Sequence, residues 1–158
     1  MYNYEQLQQA ENGEKAMRKI LDEKEVITMN NITLAFVGDA VYSLFMREQF
    51  SVRCDAKPYV LTEACSEAVS AKEQAKKIDT MIADGFLTAT ELGVYKRARN
   101  AKKANKAKGA TVTDYHKSTG FEALLGYLYL TGRDDRLSEI LNYKINYGDY
   151  IKTNENRR

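Results

Sequence analysis

The chain is poor in the residues from which many functional sites are built. Its 158 residues include one histidine, two cysteines, one proline and no tryptophan. Cys54 and Cys65 have neither metal-ligand spacing nor the density of a disulfide scaffold, so we expect two free thiols and no zinc site. No apolar run is long enough to cross a bilayer, and the amino terminus MYNYEQLQQAENGEK does not resemble a secretory signal. We therefore expect a cytoplasmic protein.

Basic residues are concentrated in one strip. The stretch KRARNAKKANKAK, residues Lys96 to Lys108, holds seven basic residues and no acid, and the rest of the chain has 17 basic against 22 acidic residues. A solvated loop is the simple interpretation. A concentrated basic strip in an otherwise acidic protein also indicates a polyanionic partner, of which nucleic acid is the obvious candidate.

Helix signals dominate the chain, because proline is scarce and sustained apolar-polar alternation is absent. These features predict an all-α fold. A Thr88–Glu91 capping box opens the helix that leads to the basic strip. The other predicted helices are Tyr4 to about Glu25, about Thr33 to Phe50, a region from Pro58 through Ile78 closed by Asp84-Gly85, about Ser118 to Leu130, and about Asp135 to Ile145.

One acid, Asp39, lies inside the apolar stretch LAFVGDAVYSLF. Helical spacing places Leu34, Val37, Val41 and Leu44 on one apolar face, with Asp39 opposite. A buried, unpaired carboxylate would cost several kcal/mol, so this acid needs solvent, a hydrogen bond or a cation. Exposure at the helix margin, a tyrosine partner and a metal ion all remain open.

A second acid, Glu122, occupies a similar position in HKSTGFEALLGYLYL. Small residues flank both acids, which would let the two helices cross closely and bring the carboxylates together around a divalent cation. Oxygen ligands favour Mg²⁺, with Mn²⁺ as a plausible substitute. The alternative is that Thr119 and Glu122 form a capping box at a helix start. Spacing does not decide between ligand and cap.

Several ordered motifs carry a resemblance to a known family. LAFVGDAVY resembles the signature helix of the ribonuclease III catalytic domain, and STGFEALLGYLYL resembles that family's second metal-binding helix. Together with VSAKEQAK and KRARNAK, these motifs are most similar to the short Mini-ribonuclease III branch, which lacks a double-stranded RNA-binding domain. The resemblance covers roughly residues 31–146 and implies three regions: an amino-terminal helical extension, 1–26; a ribonuclease III-like catalytic domain, 27–147; and a polar carboxy-terminal tail, 148–158.

The resemblance implies an all-helical, homodimeric endonuclease that cuts double-stranded RNA with Mg²⁺ and leaves 5′-phosphate and 3′-hydroxyl ends. Asp39 and Glu122 would be its catalytic metal ligands. Larger members of the family carry two further acids, where this sequence has Ala35 and Thr119, as expected for the short branch. Water must then fill more of the metal coordination shell. The implied target is the precursor of 23S ribosomal RNA, with a ribosomal protein as a possible presenting partner.

Duplex RNA is recognised mainly through its phosphates, 2′-hydroxyls and shape. His116 could also act as a general acid or base, although a phosphate contact or a structural hydrogen bond is the simpler role for a lone histidine beside Lys117. The candidates for RNA binding are Lys72, Gln74, Arg97, Arg99, Asn100, Lys102, Lys103, Lys106, His116 and Lys117.

Two rival functions remain at this stage. A non-catalytic relative that binds double-stranded RNA or the ribosome would keep the fold and the basic strip, and the absence of acids at Ala35 and Thr119 makes it worth testing. A generic helical interaction module would treat Asp39 and Glu122 as incidental, but it leaves the ordered motifs unexplained.

Overall fold

The computed structural model describes residues 18–101 and 110–151, and within these ranges the chain is helical without any strand. The prediction of an all-α fold is confirmed. In chain order the helices are α1 (Glu23–Thr28), α2 (Asn31–Arg53), α3 (Pro58–Ala68), α4 (Ala71–Ala83), α5 (Ala89–Arg99), α6 (Val112–Leu130) and α7 (Asp134–Leu141), followed by a 3₁₀ turn, Tyr147–Asp149.

Helix α6 forms the centre of the bundle, and α2, α4 and α5 pack around it. Between Ser118 and Leu128 every residue of α6 is buried except Glu122. A helix that is apolar on all sides needs partners on all sides, which explains its central place. The single acid in this stretch therefore marks the one position where α6 reaches an opening.

The buried stripe of α2 differs from the predicted one. Leu44, placed on the apolar face by hydrophobic spacing, is 65% exposed. The prediction was wrong because it counted only large apolar residues, whereas the face against α6 is built around a glycine and a tyrosine. The stripe recurs every four residues and consists of Leu34, Gly38, Tyr42, Met46 and Phe50.

Several predicted helix boundaries were also wrong, among them the end of the last helix, which was predicted at about Ile145 and lies at Leu141. The region predicted from Pro58 through Ile78 is two helices, because the chain breaks at Val69 and Ser70 caps α4 by accepting from the Glu73 amide. Helix α6 begins at Val112, six residues before the predicted start, because Thr111 accepts from the Asp114 amide and caps it. The Thr88–Glu91 capping box is confirmed.

The segments at both ends of the described chain pack on the core. Residues 4–17 of the helix predicted from Tyr4 to about Glu25 lie outside the described part of the chain, and residues 18–22 are not helical. Helix α1 instead starts after Asp22 and buries Val26. Tyr150 and Ile151 rest against the core at the other end.

Both cysteines are free, as expected. None of the described helices combines the length and apolar content needed to cross a membrane.

Candidate active site

Helices α2 and α6 cross with their backbones in contact at two glycines. A Cβ placed on Gly38 would lie 1.7 Å from the Glu122 carbonyl oxygen, and one placed on Gly126 would lie 2.0 Å from the Leu34 carbonyl oxygen. No other residue type fits at such a crossing without moving a helix. Asp39 follows Gly38 directly, so the crossing brings the backbones that carry the two acids together. The small residues beside the acids, Gly126 among them, had predicted such a close crossing.

Asp39 lies at an exposed position of α2, next to the buried stripe of that helix. At about 100° per residue its side chain leaves α2 within about 20° of Met46 and Phe50, which are both completely buried. Asp39 is nevertheless exposed, so no other element covers α2 at the level of Asp39 among the described residues. One turn further on, Tyr42 donates to the Ala68 carbonyl at 3.4 Å. This side of α2 therefore faces the joint between α3 and α4.

Glu122 faces the same joint. Its Oε1 accepts a hydrogen bond from Gln74 Nε2 at 3.0 Å, and the same nitrogen donates to the Val69 carbonyl at 2.9 Å. Glu122 does not cap a helix, because Thr119 lies inside α6 and its hydroxyl donates to the Tyr115 carbonyl. The structure thus removes the capping alternative and leaves the carboxylate partly buried beside the α3–α4 joint.

The donor set fits a hard divalent cation with a largely water-filled coordination shell. Across residues 18–101 and 110–151, no group of three or more histidine, cysteine, aspartate or glutamate side chains could hold a metal ion. Two carboxylates without histidine or thiol are a usual protein contribution to a Mg²⁺ site, because Mg²⁺ retains several waters. Ala35 and Thr119 are both buried and add no carboxylate. The residues that could hold a cation here are Asp39 and Glu122.

Three of the predicted RNA-binding residues, Arg97, His116 and Lys117, lie in or beside the first turns of α6. A Cβ on Gly120 would lie 2.5 Å from the Tyr95 ring, which places the last turn of α5 beside the first turns of α6. Arg97 is exposed on that turn. Lys117 pairs with Asp79 at 2.6 Å, so part of its charge is already compensated. His116 lies about 9 Å along α6 from Glu122, given six residues of helical rise.

Other predicted RNA contacts have different surroundings. Lys72 and Asn100 are exposed, whereas Arg99 is half-buried and donates to the Asn100 side chain at 3.1 Å. Gln74 is only 2% exposed and bonds to Glu122, so direct RNA contact by this side chain does not fit its burial. The predictions for Lys102, Lys103 and Lys106 lie outside the described residues.

Sequence reasoning therefore missed the link between Gln74 and Glu122. The only sequence signal for it was a polar residue on the apolar side of α4, in line with Ala71, Ala75 and Ile78. It also overlooked Gly38 as the crossing point, although a glycine in the interior of a helix is itself a signal of close backbone approach.

Comparison with known proteins defines the class. The family model for the ribonuclease III domain matches residues 32–133. That range contains both acids and the whole α2–α6 crossing. The chain belongs to the ribonuclease III domain family, an assignment that supports endoribonuclease activity.

Within that family, the chain is similar to proteins named Mini-ribonuclease 3. It is 44% identical to the one from Enterococcus faecalis over 117 residues, covering 74% of this chain and 89% of the relative. It is 42% identical to the one from Streptococcus pneumoniae over 121 residues, covering 77% and 94% of the two chains. The crystal structure of protein FN1578 from Fusobacterium nucleatum superposes with a TM-score of 0.65 at 28% identity, covering 73% of this chain and 90% of that one. The resemblance inferred from the motifs is confirmed.

Proposed function

We propose that the protein is a Mg²⁺-dependent endoribonuclease that cleaves double-stranded RNA and matures the 23S ribosomal RNA precursor. The observation that carries the proposal is the close crossing of α2 and α6 at Gly38 and Gly126, beside which α2 carries Asp39 and α6 carries Glu122. We propose that the two carboxylates line one cleft there. The proposed site of action is the cytoplasm, a reducing compartment that suits two free thiols.

The chemistry follows from what hydrolysis of a phosphodiester requires. Bound at the cleft, Mg²⁺ supplies positive charge that makes a water nucleophilic and neutralises the departing 3′ oxygen. Asp39 and Glu122 hold the cation, with Mn²⁺ as a plausible substitute, and together contribute two negative charges to it. No protein nucleophile is needed, and the expected products carry 5′-phosphate and 3′-hydroxyl ends. We assign His116 to phosphate contact rather than to proton transfer.

Dimer formation is supported by an exposed apolar stripe on α2. Phe36 is 79% exposed and Leu44 is 65% exposed, and exposed Ala40 lies between them at four-residue spacing. The stripe lies on the side of α2 away from Gly38, and such a patch is typical of an interface. We propose that a second copy of this chain covers it. Two-fold symmetry would then present one cleft to each RNA strand.

RNA recognition in this proposal depends on the described basic groups at the start of α6 and the end of α5, together with the predicted strip beyond them. Because Lys and Arg contacts to phosphates release condensed counterions, RNA binding through this surface should weaken steeply as salt rises. A ribosomal protein that presents the precursor is a further proposed partner, because it would compensate for a small basic patch.

The test of activity uses a duplex RNA with Mg²⁺ or EDTA and three proteins: wild type, Asp39→Asn and Glu122→Gln. We expect metal-dependent cleavage by the wild type alone, with RNA binding largely retained in both variants. Intact RNA together with firm binding by the wild type would favour the non-catalytic alternative. Assay of a 23S precursor fragment beside an unrelated duplex tests the substrate.

The test of the basic end compares two charge reversals. Arg97→Glu should weaken RNA binding and make the salt dependence shallower by about one counterion. Lys24→Glu is the matched control, because Lys24 is also exposed but lies at the opposite end of α6. Its neighbour Glu23 accepts a hydrogen bond from Tyr127, near the carboxy-terminal end of that helix. Equal effects of the two reversals would argue against RNA contact at the α5–α6 end.

A further inference from the structure

Gln74 is a buried polar side chain in direct contact with the proposed site. It lies in the first turn of α4 and is 2% exposed. Burying a side-chain amide is costly unless it is hydrogen-bonded, so a glutamine at this position requires a specific partner. That partner is Glu122, whose carboxylate accepts at 3.0 Å.

The two hydrogen bonds of Gln74 fix which way its amide points. Nε2 donates to two acceptors, the Glu122 carboxylate and the Val69 carbonyl at the end of α3. Reversing the amide would place Oε1 against both acceptors, which would repel it. In the present orientation Oε1 is buried without a hydrogen-bond partner among the residues that the structure describes. Gln74 thus keeps its Nε2 hydrogen bond to the Glu122 carboxylate although its Oε1 has no hydrogen-bond partner among the described residues.

A neutral donor suits this position better than a cation. An arginine or lysine would hold the carboxylate equally well but would cancel the negative charge that a divalent ion needs. The Gln74 amide fixes one oxygen of Glu122 and leaves the charge in place. Because Val69 lies at the α3–α4 joint, the same amide also ties Glu122 to this joint, which Tyr42 contacts through the Ala68 carbonyl.

We propose that Gln74 is a positioning residue: its side-chain amide holds the Glu122 carboxylate in the orientation that binds the divalent cation with Asp39. This inference rests on the proposed function for the presence of the metal. Residues that orient metal ligands in this way typically contribute 10–100-fold to metal affinity.

The test replaces Gln74 with methionine, which has a similar length and no donor. Binding of Mn²⁺ to the protein alone is followed by the electron paramagnetic resonance signal of free Mn²⁺, and duplex cleavage is titrated with Mg²⁺. We expect Gln74→Met to weaken Mn²⁺ binding by about 10–100-fold and to raise the half-saturating Mg²⁺ concentration in parallel. At saturating Mg²⁺, the cleavage rate of Gln74→Met should recover part of the way to the wild-type rate. Gln49→Met is the matched control, because Gln49 is also a hydrogen-bonded glutamine, partnered by Arg53.

A double-mutant cycle separates positioning from a structural role. In the Glu122→Gln background, Gln74→Met should have no further effect on Mn²⁺ affinity, whereas a residue that only supports packing would act equally in both backgrounds. Unchanged Mn²⁺ affinity in folded Gln74→Met, beside normal binding by the wild type, overturns the inference alone. Absence of Mn²⁺ binding by the wild type overturns the metal proposal and the inference together.

One measurement on the wild type covers the case in which Gln74→Met does not fold. The side-chain amide signal of Gln74 in nitrogen-15 spectra should shift during a Mg²⁺ titration, with the same half-saturation as metal binding measured independently. The signal should respond far less in Glu122→Gln. A Gln74 signal that stays in place at saturating Mg²⁺ overturns the positioning role.

Discussion

The Gly38→Ala substitution tests the helix crossing on which the site depends. The added Cβ would lie 1.7 Å from the Glu122 carbonyl oxygen, 2.5 Å from its carbon and 2.9 Å from the Gly126 nitrogen. All three are backbone atoms, so no side chain can swing away. The two helices would have to separate by roughly 1.5 Å to restore ordinary contact distances.

The expected cost follows from two opposing contributions. Alanine favours a helix over glycine by about 1 kcal/mol. Overpacking of a close-packed interior typically costs about 1–3 kcal/mol and more when the clash is rigid. Because the clash here lies between backbones at the centre of the bundle, we expect a net loss of about 2–4 kcal/mol. Gly126→Ala, whose Cβ would lie 2.0 Å from the Leu34 carbonyl oxygen, should behave alike.

The assay is urea unfolding followed by far-ultraviolet circular dichroism, with Gly93→Ala as control. Gly93 lies inside α5 and a Cβ there would meet nothing within 4 Å, so this substitution should stabilise the protein by about 0.5–1 kcal/mol. Cleavage per folded Gly38→Ala molecule should fall by about 100-fold, because a displacement of about 1 Å at reacting groups has effects of that size. A Gly38→Ala protein as stable as the Gly93→Ala protein would refute the close crossing.

Three further predictions concern the proposed dimer, a largely buried lysine and the ion pair of a buried glutamate. Phe36→Glu with Leu44→Glu should convert the proposed dimer into a folded monomer in light scattering; a wild type that is dimeric together with a variant that remains dimeric would place the interface elsewhere. Burial lowers the pKa of Lys77 from 10.5 to about 8, so between these pH values the unfolded chain binds more protons and this group's contribution to stability rises with pH. The unfolding free energy of the wild type minus that of Lys77→Met should therefore rise by about 1–2 kcal/mol from pH 7.5 to 9.5, and a flat difference would contradict the burial. Arg136 holds buried Glu91 through two bonds of 2.8 and 2.9 Å; Arg136→Met should cost about 3–5 kcal/mol, and adding Glu91→Gln should recover part of it, whereas additive losses would deny the coupling.

Local signals in the sequence predicted much of the fold, because they act over a few residues. The Thr88–Glu91 capping box and the helix start at Pro58 are examples, and both appear in the structure. The start of α6 was missed because the sequence offers two competing caps. Thr111 and Thr119 are each followed by an acid three residues later. Tertiary packing decides between them, since every residue from Ser118 to Leu128 except Glu122 is buried.

Only part of the candidate site could be predicted from the sequence. Asp39 and Glu122 stand out because each is an acid within an apolar stretch, a local anomaly. The partner of Glu122 could not be found in that way, because Gln74 lies 48 positions away and becomes its neighbour only when α4 packs on α6. The exposure of Phe36 was likewise hidden, since a helix that is apolar on most sides does not indicate which side remains open.

The most direct test of the central claim is a crystal structure of the protein grown with Mn²⁺, using anomalous scattering to locate the ion. We predict a peak within about 2.0–2.3 Å of carboxylate oxygens from both Asp39 and Glu122, with water completing the coordination. A Mn²⁺ peak elsewhere in the molecule, or two carboxylates that point into separate spaces with no ion between them, would contradict the account.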